Sequence, residues 1–262
     1  MGLSSNILWH QTSKNGLLNI IKQKKFRYSY SLESIKVSGE NEPLELAFPM
    51  ISFCDFAIED IGNYITRYGN YTIGLSRDWG FSNGINPVWY CNENVKILHK
   101  LLSCETNRCN DMKLIYELLS YVKNYNGELL KRKFKDYRFY DEREMRFTLE
   151  YDYMYRLGLE PFIREKFRYD SYKENHNKSS LLDIGIDFNY SDIRYIIAQN
   201  DKDIIDFKEL IGVDYNINYF TIDQIRNDFI GDNHNKKTNK KKINIVGRID
   251  LNKKTPSKLV HI

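Results

Sequence analysis

The sequence predicts an α+β protein, a mixed and mainly antiparallel sheet with helices packed on it. Three observations carry this. Apolar residues alternate with period two in several segments, most clearly over residues 142–151, where Met145, Phe147, Leu149 and Tyr151 alternate with Glu144, Arg146, Thr148 and Glu150. Helical stripes, such as Ile115, Leu118, Leu119 and Val122, lie between the strand-like segments. Strands and helices are interleaved without the regular spacing of a doubly wound parallel sheet.

In order along the chain, residues 7–12 (ILWHQT) read as a strand, and Leu17, Leu18, Ile20 and Ile21 as a short amphipathic helix ending near Phe26. Residues 37–46 are turn-rich, and residues 48–54 (FPMISFC) form a compact apolar run expected to be a buried strand. Asp60 can cap a helix reaching Tyr68. A strand at 71–76, a Gly/Asn-rich turn at 80–87 and a short strand at 88–90 come next. Val95, Leu98, Leu101 and Leu102 share one helical face, and the stripe from Ile115 to Val122 shares another. After the strand at 142–151 and a polar stretch at 169–180, Leu182, Ile184, Ile186 and Phe188 alternate, and residues 193–198 repeat a strand signal. A helix is expected over 202–211, and Thr221 with Gln224 has capping-box spacing for a last one.

A chain of 262 residues supports one large domain with its own core, placed here at residues 1–230. Residues 231–262 form a basic tail of charge +7, which leaves −3 for the body. A solvated end is the ordinary reading of such a run, and contact with nucleic acid is the functional one. Residues 1–9 lack a signal-peptide pattern, and no stretch approaches a membrane span, so a cytoplasmic protein without membrane contact is expected. Cys54, Cys91, Cys104 and Cys109 include no C-x-x-C pair, and their spacing around His99 fits no standard zinc pattern, so no metal is expected.

Residues 141–146 (DEREMR) are the most chemically suggestive. Strand alternation places Glu142, Glu144 and Arg146 on one face, with same-face neighbours about 6.5–7 Å apart. Two carboxylates so close can shift each other's proton affinity, and an ionised one can stabilise positive charge developing on a sugar ring. The alternative is an exposed strand face whose charges pair across neighbouring strands. His10 and Thr12 share a face of the first strand, where they could hold a ribose or phosphate or stay structural. Tyr64, Arg67 and Tyr68 fall on one helical face, with Arg77 and Trp79 after a strand end. No P-loop, G-x-G-x-x-G, H-E-x-x-H or G-x-S-x-G motif is present, which removes the standard chemistries of those motifs.

The phrases ILWHQTSK (7–14), FPMISFCDF (48–56), TRYGNYTIGLSRDWGFSNGINPVWY (66–90) and FYDEREMRF (139–147) resemble the AbiGi family of bacterial abortive phage-resistance proteins, with Met145 where the family usually has tryptophan. The resemblance implies a role in antiphage defence as the antitoxin-like partner of a toxin-like, nucleotidyltransferase-resembling protein. At the level of pattern the chain also resembles ADP-ribosyltransferases of the H-Y-E type. That likeness implies NAD as cofactor, Glu144 as the catalytic glutamate with Glu142 orienting the acceptor, and His10 and Thr12 on the dinucleotide; Tyr64, Tyr68 and Tyr71 are all eligible as the middle aromatic. Binding and regulating a partner is the first reading, a NAD-consuming effector the second, and nucleic-acid binding through the tail the third.

Overall fold

The structure, a computed structural model, describes residues 6–37, 39, 41–58, 60–61, 64, 69–98, 100, 112–129, 134–164, 166–176 and 184–229. Strand β1 (Ile7–Thr12) opens it. Ser13 caps helix α1 (Lys14–Gln23) by accepting from the Gly16 amide, and Lys24 ends it in the left-handed region at φ 50°. Strands β2 (Lys25–Arg27), β3 (Ser29–Ile35), β4 (Leu44–Cys54) and β5 (Tyr71–Ser76) follow. The Ser76 hydroxyl caps α2 (Arg77–Ser82), and β6 (Asn86–Pro87) and β7 (Trp89–Cys91) come next. Helix α3 (Met112–Ser120) leads to β8 (Val122–Asn124), β9 (Asn126–Leu129) and β10 (Phe134–Arg138). A 3-10 turn over Phe139–Glu142 precedes β11 (Glu144–Thr148). The rest is α4 (Tyr151–Arg156), β12 (Ile163–Arg164), α5 (Lys166–His176), β13 (Gly185–Asp187), β14 (Ile193–Ala198), α6 (Asp201–Ile211), β15 (Asn218–Thr221) and α7 (Ile222–Phe229).

Nine of these strands form one sheet in the order β15-β14-β5-β1-β4-β11-β6, with β3 and β12 also paired to β4. All its pairs are antiparallel except β14 with β15. The long β4 is the spine. Met50 registers against both Ser29 and Thr148, and Cys54 against both Trp9 and Glu144, so β1 and β3 share one edge of β4 and β11 takes the other.

Alternation along β4 separates two interiors. Ala47, Ile51 and Phe53 join the main core with Leu17 and Ile21 of α1, Ile204 and Phe207 of α6, and Phe26, Ile73 and Met145. On the opposite face Leu46, Phe48 and Met50 pack with Ile115 and Leu119 of α3. At the far end of that face Ile7, Trp9 and Ile197 meet Phe56, Ile222 and Ile225. Between these two apolar clusters the same face of β4 presents Ser52, and there the charged groups collect.

The α+β reading is the observed architecture, and β14 runs over residues 193–198 as expected. The capping box also forms: the Gln224 amide donates to Thr221 Oγ1 at 3.2 Å and the Thr221 amide to Gln224 Oε1 at 2.7 Å. Four local expectations are corrected. Residues 44–46 belong to β4, because they pair with β3 and β12. Val122 is a strand residue opposite Trp89, not the end of a helical stripe. The strand expected over 142–151 is shorter, since Arg143 adopts φ 44° and Tyr151 begins a helix. The helix expected to end near Phe26 stops at Gln23, and Phe26 lies in β2. Among the described residues no helix is long and apolar enough to cross a membrane, and no group of three His, Cys, Asp or Glu side chains is placed to hold a metal ion. The tail at 231–262, Arg67, Tyr68, His99, Cys104 and Cys109 lie outside the described residues.

Candidate functional site

Glu144 begins β11 opposite Cys54, and Arg146 stands opposite Ser52, so alternation points both at the same face of β4. Glu144 is 5% exposed and Arg146 fully buried. Glu144 Oε1 accepts from Ser52 Oγ at 2.8 Å and Arg146 Nε at 2.6 Å; Oε2 accepts from Lys123 Nζ at 2.5 Å and Arg146 Nη2 at 3.2 Å. Arg146 also donates to the Ser120 carbonyl at 2.8 Å and ion-pairs with Glu33. Lys123 reaches Glu142 Oε2 at 3.2 Å and lies 5.0 Å from the centre of the Phe139 ring. The Glu144 amide donates to Tyr90 Oη at 2.6 Å.

Glu33 stands opposite Leu46 and Arg146 opposite Ser52, a separation of roughly 20 Å along an extended strand. Side chains could not meet over that distance on a flat sheet, so the sheet curls around the cluster. Three carboxylates and two cations from β3, β8, β11 and the 3-10 turn thus close on one another.

Burial opposes the Glu144 charge, but Arg146 and Lys123 outweigh it and hold its carboxyl well below the usual range. Burial likewise opposes the Lys123 charge, and Glu144, Glu33 and Glu142 overcome it, keeping the ammonium well above its ordinary value. Glu33 goes the other way: burial pushes it up despite Arg146 and Lys123. Burial, with Glu142 and Glu144 beside it, also raises the Cys54 thiol, which therefore stays protonated and is a poor nucleophile. Four protein donors occupy the two oxygens of Glu144, matching the acceptor sites of a carboxylate. As arranged, the group ties α3 and β8 to β4 and β11.

His10 is on the other face. Its Nδ1 donates to the Ser52 carbonyl at 2.9 Å, and its ring packs edge-on to Phe26 at 5.1 Å and near Phe53 at 5.6 Å. Burial lowers its pKa, which the Ser52 bond offsets in part. Thr12 registers against Tyr71 on this face. Burial and the Asp203 carboxylate push the Tyr71 phenol, which donates to Asp203 at 2.6 Å, up to about 12.

Two comparisons bear on what this arrangement belongs to. The model of the AbiGi family of abortive phage resistance proteins, whose description includes the word antitoxin, matches residues 24–199. The chain belongs to the AbiGi family. A curated relative, the abortive phage resistance protein AbiGi of Lactococcus lactis subsp. cremoris, is 28% identical over 205 residues, which cover 66% of this chain and 80% of that one. No solved structure matches.

The AbiGi match spans Glu33, Lys123, Glu142, Glu144 and Arg146, and begins after His10 and Thr12. The structure brings Glu142, Glu144 and Arg146 together as expected, but not as neighbours on one strand face: Glu142 reaches Lys123 from the 3-10 turn. Nor is that face exposed. His10, Thr12 and Tyr71 share the opposite face, so the expected single cleft holding His10 with Glu144 does not form. Tyr64 packs flat on Phe56 at 4.5 Å, Arg77 pairs with Asp55 at 2.8 Å, and Trp79 is in the core. Lys123 and Glu33 were missed. Their strands are short or weakly alternating, and only tertiary pairing makes them part of the site.

Proposed function

We propose that this AbiGi family member contributes to abortive infection as an antitoxin that binds and restrains a toxin partner. The family description as an antitoxin carries this reading. The geometry supports it, because the acceptor sites of Glu144 are filled by Ser52, Arg146 and Lys123 and the group serves as a structural clamp. A NAD-consuming reaction would need His10 and Glu144 in one cleft, and the sheet stands between them.

The test is growth of a host expressing the protein encoded beside this chain, with and without the chain. Relief of growth arrest, together with co-elution of the two proteins, is expected. Arrest caused by this chain alone, or arrest it leaves unchanged, would overturn the proposal.

A further inference from the structure

On the His10 face, away from the charge cluster, α1 and β2 border a cleft of about 210 Å³. Its lining includes His10 from β1, Gly16, Asn19 and Gln23 from one stripe of α1, and Lys25 and Arg27 from β2. Lys25 and Arg27 point the same way because Phe26 between them is sunk in the core. Arg27 Nε is buried without a hydrogen-bond partner among the described residues. Leaving such a donor unmatched is costly, and because Nε itself has no open surface, an anion in the cleft would meet Arg27 through the rest of its guanidinium fork. Lys25 is held 3.4 Å from Asp187, whose side chain is 75% exposed.

The imidazole adds the complementary function. Its Nδ1 must carry the proton to donate to the Ser52 carbonyl, which makes Nε2 of the neutral ring an acceptor. The cleft therefore offers two cationic donors, two side-chain amides and one imidazole acceptor, and among the described residues no carboxylate lines it.

We propose that this cleft binds a small organic anion that also carries a hydroxyl, with Arg27 and Lys25 taking the anionic oxygens and His10 Nε2 accepting from the hydroxyl. Guanidinium forks match carboxylate and phosphate oxygens equally, so sugar phosphates and hydroxy acids share the required chemistry. The volume is below the roughly 300–1,000 Å³ of sites for drug-sized ligands, which favours a small metabolite over a dinucleotide. This site is independent of the antitoxin proposal.

Calorimetric titration of the full chain with ribose 5-phosphate, malate, inorganic phosphate and ribose tests it and separates the two sources. Ribose 5-phosphate or malate is expected to bind at least about tenfold tighter than phosphate or ribose. Arg27→Gln should weaken that binding about tenfold or more, and His10→Gln should remove the advantage over phosphate. Asn19→Trp, at an exposed rim position, should block the cleft without lowering the melting temperature, which guards against a folding defect in the other variants. Absence of saturable binding of both hydroxylated anions up to about 10 mM, or binding unchanged in Arg27→Gln and Asn19→Trp, would overturn the proposal.

Discussion

His10 and Glu144 lie on opposite faces of the sheet although only β4 separates their strands. Trp9 and Glu144 both register against Cys54, so they share a face, and His10, one residue further on, is turned away. Ser52 is common to both environments, its hydroxyl donating to Glu144 and its carbonyl accepting from His10. Glu144 is held by Ser52, Lys123 and Arg146, and His10 by the Ser52 carbonyl and two phenylalanine rings. Perturbing one side leaves the other's contacts in place, so the two can be tested separately.

Charge count decides which cluster substitution costs more. Arg146→Met leaves Glu33, Glu142 and Glu144 with Lys123, three acids, two of them buried, against one base. Breaking a buried pair in this way costs about 3–5 kcal/mol. Glu144→Gln leaves two acids with two bases and keeps an amide oxygen as acceptor, and should cost roughly 1–3 kcal/mol. Urea unfolding of both variants gives the comparison, and a Glu144→Gln loss as large as that of Arg146→Met would rule out charge count as the deciding factor.

Stability should respond to pH through His10 and Glu33 with opposite signs. The unfolded His10 takes up a proton near 6.5, whereas burial holds the folded ring below that value. Between those values the unfolded chain binds more protons, so this contribution to stability falls as pH drops below about 6.5. Burial raises Glu33, so its contribution is present below its unfolded value near 4.5 and is lost as pH rises through the folded one. The drop in melting temperature from about pH 7.5 to about pH 5.5 should shrink in His10→Gln, and Glu33→Gln should act in the opposite direction by removing a stabilisation that builds as pH falls through the folded Glu33 value. The reverse ordering would contradict both assignments.

These effects depend on features of very different legibility. Thr221 and Gln224, or the alternation at residues 193–198, could be read because local spacing alone determines a cap or a strand face. The alternation of Glu144 with Met145 likewise showed which residues share a face, but not that α3 and β8 would cover it. Glu142 was misplaced because Arg143 takes a left-handed backbone, which an arginine does not advertise. Lys123 was hidden behind Val122, whose apolar side chain continues the helical stripe while its backbone pairs with β7.

Tyr71 stabilises α6 through Asp203, and its substitution should be felt in stability. Asp203 is 3% exposed, and it accepts from Tyr71 at 2.6 Å and Asn200 at 3.1 Å while pairing with Lys14. Tyr71→Phe removes one donor from a buried carboxylate, a loss of about 1.5–3 kcal/mol. Chemical denaturation should show that loss, and anion binding at the His10 cleft should be unchanged, since Tyr71 does not line it. Weakened anion binding in folded Tyr71→Phe would give the phenol a ligand-binding role instead.

Glu144→Gln separates partner binding from catalysis most directly. If the carboxylate only clamps α3 and β8 onto the sheet, the variant loses stability but keeps its surface, and phage protection at a temperature well below its melting point should match wild type. A carboxylate that stabilises charge in a transition state cannot be replaced in this way, because the neutral amide removes the electrostatic term and costs about 10²–10³ in rate. Plaque counts on hosts carrying either version, read beside circular dichroism of both proteins, decide between them. Protection abolished in a folded Glu144→Gln chain would return the cluster to chemistry and remove the geometric support for the antitoxin proposal.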